Sequence, residues 1–231
     1  MAPNQEIELK RRLIGPDAAE RLLRVLGPVA SDVEQVNHVF DTPERHLHRA
    51  RHSFRLREQG ASFILTAKGP SQGVSASVSS RTEAEAEIGA DVARRILAGQ
   101  HDALGELRRH ATDDAFEPLW MGLGRALSGQ SLEEVGLFHN RRRTVQVVVS
   151  TELSLNVEVD ATRFPNGRFE DEVEIELSRP ELASDVETWL EERAAAAGVE
   201  TQPSTSKLAR FYASLDEATA PPRASSSAPP E

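Results

Sequence analysis

The segment Glu6-Ile7-Glu8-Leu9-Lys10 carries a charged residue at every second position. Successive side chains of an extended strand point to opposite faces, so two carboxylates and an ammonium share one face, while Ile7 and Leu9 share the other. The same rhythm returns along the chain. Arg55 and Arg57 alternate with Phe54 and Leu56; Arg81, Glu83, Glu85 and Glu87 share a face; Glu172, Glu174 and Glu176 oppose Val173, Ile175 and Leu177. A lone strand of this kind is ordinarily a wet surface strand. Here the charged faces are nearly pure Glu or nearly pure Arg, and like charges stacked on one strand repel. Divalent cations would offset the repulsion among the carboxylates, and a phosphate chain the repulsion among the arginines. The alternation therefore predicts a barrel with a polar interior that takes metals and a polyanion.

The coarse order of elements fits such a barrel. Strands are expected over 4–13, Val33 to Phe40, Ser53 to Gln59, Ser62 to Lys68 and Val74 to Ile88, with a hairpin turn at Gly60-Ala61. A helix is expected over Pro16 to Leu26, stopped by Gly27-Pro28. From Asp91 to Leu127 the periodicity is helical, with breaks near Gln100, Thr112 and Gly129. Strands resume over Leu137 to Val149, Glu152 to Thr162 and Arg168 to Leu177. A helix follows over Glu181 to Ala197, then a short one within Ser204 to Leu215. The predicted fold class is α+β: a β-barrel with a polar interior, most of whose connections allow antiparallel pairing, with helices beside it. Residues 1–216 form the domain, with a helical insert at about 89–129, and the Ala-, Pro- and Ser-rich segment 217–231 is expected to be a disordered tail.

Composition narrows the function. The chain has 231 residues, a formal net charge of −10 and no cysteine, which excludes disulfides and thiolate metal sites. The acidic balance argues against DNA as a partner. No apolar run reaches membrane-spanning length, and Glu6 and Glu8 near Met1 leave no visible secretory signal, so a cytoplasmic monomer away from membranes is expected. Carboxylate oxygens suit Mg2+ or Mn2+, and Arg and Lys suit phosphate oxygens. His38, His46, His48 and His52 are too loosely spaced to favour a zinc site over solvated or capping roles.

These residues resemble the CYTH superfamily, the triphosphate tunnel metalloenzymes. Glu6 to Lys10 is similar to its ExExK signature, and Phe40-Asp41-Thr42-Pro43 to its aromatic-Asp-Thr turn. Phe54 to Arg57 resembles the paired-arginine strand, Thr66-Ala67-Lys68 the lysine strand, and Arg81 to Glu87 the Arg-then-Glu strand. Phe138 to Arg142 resembles the strand supplying a later arginine. Val159-Asp160 and Glu174-Ile175-Glu176 resemble the closing acidic strands, and Ser206-Lys207 the C-terminal lysine. The likeness spans about residues 4–212 and is nearest to the plant-type tripolyphosphatase branch.

The resemblance implies an α+β fold, an eight-stranded antiparallel β-barrel tunnel with helices packed outside, and a metal-dependent triphosphatase that hydrolyses a short triphosphate, above all inorganic tripolyphosphate, by water attack on a terminal phosphorus. It implies catalytic roles for Glu6, Glu8, Lys68 and Lys207. Lys10, Arg55, Arg57, Lys68, Arg81, Arg142 and Lys207 would bind substrate. Glu6, Glu8, Glu83, Glu85, Asp160, Glu174 and Glu176 would hold Mg2+ or Mn2+. The choice among Glu83, Glu85 and Glu87 stays open, as does the register at Arg141 to Arg143. Thiamine triphosphatase, nucleoside or RNA 5′-triphosphatase and adenylate cyclase are alternatives in the same tunnel. A non-catalytic polyphosphate- or organophosphate-binding module is the alternative outside enzymes.

Overall fold

Period-two alternation governs the architecture of the computed structural model, which describes residues 5–73, 75–151 and 153–219. The strands in chain order are β1 (Gln5–Ile14), β2 (Ser31–Asp41), β3 (Ser53–Gln59), β4 (Ser62–Lys68), β5 (Gln72–Gly73), β6 (Val78–Ile88), β7 (Glu133–Ser150), β8 (Leu153–Arg163), β9 (Phe169–Glu176) and β10 (Glu200–Pro203). Eight of them pair in the order β1-β9-β8-β7-β2-β3-β4-β6, and β6 returns to β1, closing the ring. Every neighbouring pair is antiparallel. β5 and β10 are short additions to β6 and β1. Closure removes long free edges, which would otherwise template pairing with other chains.

The described helices are α1 (Ala18–Leu26), α2 (His46–Arg49), α3 (Ala90–Leu97), α4 (Ala103–His110), α5 (Glu117–Leu127), α6 (Ala183–Ala196) and α7 (Lys207–Thr219). They cover apolar faces that the strands turn outward. Ile7, Leu9, Leu13, Val157, Val173 and Ile175 pack with Leu22 of α1 and with Val186 and Leu190 of α6. Phe54, Leu56, Leu65, Ala67 and Ala84 pack with Ile96, Leu107, Leu119 and Leu123 of the insert. The apolar core thus lies outside the ring, and the charged faces look in. At one end of the tunnel, α7 brings Phe211 and Tyr212 against Val39, Phe138 and Phe164.

Local chemistry explains the element boundaries. Asp17 enters α1 in a left-handed conformation without capping its own helix. The Ala19 N–H donates instead to Asp171 of β9, which ties α1 to the sheet. Asp102 caps α4 by accepting the Gly105 N–H at 3.0 Å.

Some boundaries differ from the sequence reading. The strand expected within Val74 to Ile88 begins only at Val78, with Val74 itself outside the described residues. Ser75 Oγ accepts the N–H groups of Ser77 and Val78 at 3.3 and 3.2 Å, folding a tight bend before β6. β7 starts at Glu133 rather than Leu137, because Gly136 at φ 150° carries the strand through a register shift opposite Val39 and Phe40. The 14-residue α6 is preceded by a short 3-10 turn at Pro180–Leu182. α7 continues to Thr219, so residues 217–219 of the expected tail are helical. The rest of that tail, 220–231, lies outside the described residues.

Candidate active site

The inward faces enclose a cavity of about 800 Å³. Every expected substrate-binding cation lines it: Lys10, Arg55, Arg57, Lys68, Arg81, Arg142 and Lys207. So do Glu6, Glu8, Glu83, Glu85, Glu174 and Glu176, and also Glu158. Seven basic and seven acidic side chains therefore face each other. A wall so balanced has little net field for a polyanion, which is better admitted together with divalent cations.

Register explains how the charges meet. Glu8 stands opposite Glu176, Lys10 opposite Glu174, Lys68 opposite Glu83 and Arg142 opposite Asp160. Lys68 Nζ contacts Glu6 at 2.8 and 3.0 Å and Glu83 at 3.0 Å, and Arg81 Nε bonds Glu6 at 2.8 Å. Burial alone would raise the Glu6 carboxyl. The charges of Lys68, Arg81 and Lys10 outweigh it and hold Glu6 well below the usual carboxylate range. Lys10 Nζ lies 2.8 Å from Glu174 and 2.9 Å from Glu8. Lys207 Nζ lies 2.7 Å from Asp160, 2.8 Å from Glu172 and 2.6 Å from Glu174. Burial would lower that ammonium, but these three carboxylates raise it, so it stays charged.

Two places in the ring are left short of partners. Glu8 is buried, and its Oε2, although close to Lys10, has no hydrogen bond. Burial and the neighbouring Glu174 push its carboxyl up to about 7. On the opposite side of the ring from β9, Arg55 reaches only Asn37, at 3.4 Å, and Arg57 only Glu85, at 3.4 Å, among the described residues. The Nε atoms of both arginines are buried without a hydrogen bond. Burial, reinforced by the charge of Arg55, pushes Arg57 down to about 10. One wall is thus short of a cation and the facing wall short of an anion.

The donor set at the first place fits a hard divalent ion. Glu8, Glu174 and Glu176 supply carboxylate oxygens, and the unsatisfied Glu8 Oε2 is the atom that a metal would stabilise. Among the described residues, no three acidic or imidazole groups already converge as a closed cage. Lysine and arginine nitrogens stand between the carboxylates instead.

The structure sorts the open choices. Glu83 and Glu85 line the cavity and Glu87 does not. Arg142 faces inward, while Arg141 is on the outer side with Asp32 at 2.6 Å. Asp160 stands apart from the other expected metal ligands. It is 0% exposed and lies behind the wall, clasped by Arg142 at 2.9 and 2.6 Å and by Lys207. Its geometry is that of a support for two cations. The histidines do not converge: His38 bonds Glu134, His46 bonds Thr42, His48 stacks on Tyr212 and His52 bonds the Ala50 carbonyl.

Residue-by-residue reading overlooked Glu158, which pairs with Arg142, and Arg210, whose guanidinium holds Glu170 at 2.8 Å and Glu172 at 2.5 Å. Glu158 lies two residues before Asp160 on β8, so the alternation contained its signal. Arg210 is on a helix, where strand spacing carries no information.

Comparison with known proteins agrees with this geometry. HpAC1 from Hippeastrum, described as having a dominant triphosphatase activity, is 28% identical over 90% of this chain and 95% of its own, with a TM-score of 0.73. A Bacillus halodurans protein shares the fold at 19% identity, covering 90% of this chain and 99% of that one, with a TM-score of 0.60. The PH1819 protein of Pyrococcus horikoshii does so at 16% identity, over 90% and 97%, with a TM-score of 0.52. No curated protein matches the chain. A model of the CYTH domain matches residues 4–212, from the first strand of the ring into the helix that covers its end, and the chain therefore belongs to the CYTH domain family.

Proposed function

We propose that this protein is a divalent-metal-dependent triphosphatase that hydrolyses inorganic tripolyphosphate by water attack on a terminal phosphorus. The observation that carries the reading is a pair of under-partnered charges on facing walls: Arg55 and Arg57, with only long contacts among the described residues, and Glu8, which shares Lys10 with Glu174 and keeps one oxygen without a hydrogen bond. A linear chain of phosphates bound with metal supplies both. The family membership and the activity described for HpAC1 support the same reaction class.

In this reading Arg55, Arg57, Lys10, Lys68, Arg81, Arg142 and Lys207 grip phosphoryl oxygens and offset the charge that develops there. Glu8, Glu174 and Glu176 would hold Mg2+ or Mn2+, and Asp160 steadies Arg142 and Lys207 from behind. When bound, such an ion neutralises phosphate charge and polarises the reacting phosphorus. Glu6 and Glu83, joined through Lys68, orient the attacking water, with Glu85 beside them on the same face. Glu6 stays ionised, whereas burial raises Glu83, which makes Glu83 the better proton acceptor of the two.

Tripolyphosphate is favoured over substrates bearing a base or thiamine by the lining of the tunnel. Its one aromatic ring among the described residues, Phe138, packs on Phe164 and Phe211 beside α7, leaving none free to stack on an organic ring. The test is phosphate release from tripolyphosphate, thiamine triphosphate, ATP and pyrophosphate, with Mg2+, Mn2+ or neither. Metal-dependent release, fastest from tripolyphosphate, is expected. Tight tripolyphosphate binding with no turnover of any compound would replace the enzyme by a polyphosphate-binding module.

A further inference from the structure

Asp41 lies outside the tunnel lining and is fully buried, with four hydrogen bonds. Its Oδ1 accepts the N–H groups of Thr42 at 2.7 Å and Leu47 at 2.8 Å. Its Oδ2 accepts the His48 N–H at 3.0 Å and the Tyr212 hydroxyl at 2.7 Å. The first three bonds close the turn between β2 and α2 on itself. The fourth ties that turn to α7, 171 positions away in the chain.

The surroundings reinforce this tie. The His48 ring stacks on Tyr212 at 4.0 Å between centroids, and the Arg45 guanidinium lies over the Tyr212 ring at 5.2 Å while pairing with Asp216 at 2.7 Å. Arg45 holds this position from a left-handed backbone, φ 59°. Beside Tyr212, Phe211 rests against Gly136, where an added Cβ would come within 3.1 Å of the ring. The same helix begins with Lys207, whose ammonium enters the tunnel among Asp160, Glu172 and Glu174.

We propose that the Tyr212–Asp41 hydrogen bond is a latch on α7, and that Tyr212 is a positioning residue that keeps Lys207 in the phosphate cradle without touching substrate. The part concerning Lys207 rests on the function proposed above; the latch rests on the contacts just described. Without the hydroxyl, α7 keeps the packing of Leu208, Phe211 and Leu215 and the ion pairs of Arg210 and Asp216, but it loses its buried hydrogen bond to Asp41, and a side chain that must reach three carboxylates from the first residue of a helix has a looser base.

The test uses Tyr212→Phe, which removes one oxygen and keeps the ring. Amide hydrogen exchange over 207–219 should quicken by about tenfold in Y212F while exchange in β1 and β9 is unchanged. The kcat/KM for tripolyphosphate should fall by about fivefold, mostly through KM. In a Lys207→Ala background the same change should alter kcat/KM by less than about twofold, because the group being positioned is absent. Unaltered exchange in α7 overturns the latch. An equal loss with and without Lys207 overturns the positioning role. If Y212F does not fold, the Tyr212 hydroxyl proton of the wild type should exchange with solvent in step with the α7 amides, and free exchange of that proton overturns the latch. Should the wild type neither bind nor cleave tripolyphosphate, the proposed function and the role given to Lys207 fall together, and the exchange measurement still decides the latch.

Discussion

Arg55 and Arg142 both face the tunnel, yet they answer to different partners. Among the described residues Arg55 has only a long contact to Asn37, whereas Arg142 is clasped by Asp160, Glu158 and Glu174. Arg55→Ala should therefore raise the KM for tripolyphosphate by about tenfold while changing stability by less than about 1 kcal/mol. Arg142→Ala leaves the fully buried Asp160 with one partner fewer and should cost about 3–5 kcal/mol in urea unfolding. If both variants lost stability equally, the distinction between a free and a clasped arginine would be wrong. Glu8→Gln should lower turnover by more than about a hundredfold with the fold intact, and a near-normal rate would remove Glu8 from the metal site. The inward charges were legible because period two sorts strand residues by face. What alternation could not rank was partnership: the identity of Arg142 over Arg141 depends on Asp160 lying opposite, a fact of register between distant strands.

Elements that announce themselves by rhythm were found, and those that do so by contact were not. β3 and β4 run over the spans expected from alternation. β10 was missed because Glu200-Thr201-Gln202-Pro203 is four residues long, ends in proline and has no apolar partner face. It exists through its pairing with Arg11 to Ile14 of β1. α5 shows how tightly the outer coat is fitted. A Cβ added at Gly122 would lie 2.5 Å from His52 Nε2, so the helix seats on the turn before β3 only with glycine there. Gly122→Ala should destabilise by about 1–3 kcal/mol, measured by denaturant midpoint, and an unchanged midpoint would show that His52 swings aside freely.

For the molecule as a whole, stability and pH are linked through two histidines that packing shields from water, His52 buried and His48 half-buried. Burial pushes both His48 and His52 below their ordinary 6.5. A group lowered in this way favours the folded state in its neutral form, so its contribution is complete above pH 6.5 and is lost as pH falls through the lower folded value. The melting temperature should accordingly drop less between about pH 7.5 and about pH 5.5 in His52→Gln than in the wild type; identical drops would show that His52 does not contribute. Chelation with EDTA should abolish phosphate release, with Mg2+ or Mn2+ restoring it, and activity that survives chelation would rule out the metal. Ring closure was the feature least visible in the chain, since the β1–β6 pairing joins residues 5–9 to 78–82 and no local pattern marks it.

Placing the apolar mass outside the ring has a consequence for how such a protein can change over generations. In most small barrels a substitution on the inner face disturbs the packing that holds the fold together. Here the inner face is lined by charged side chains, while cohesion resides in the contacts of the strands with their helical coat. Outside the buried ion pairs around Asp160, Glu174 and Glu6, the wall can be rewritten one residue at a time with the scaffold left standing. On the function proposed above, a lineage built on this plan is free to exchange one triphosphate guest for another without first acquiring a new fold.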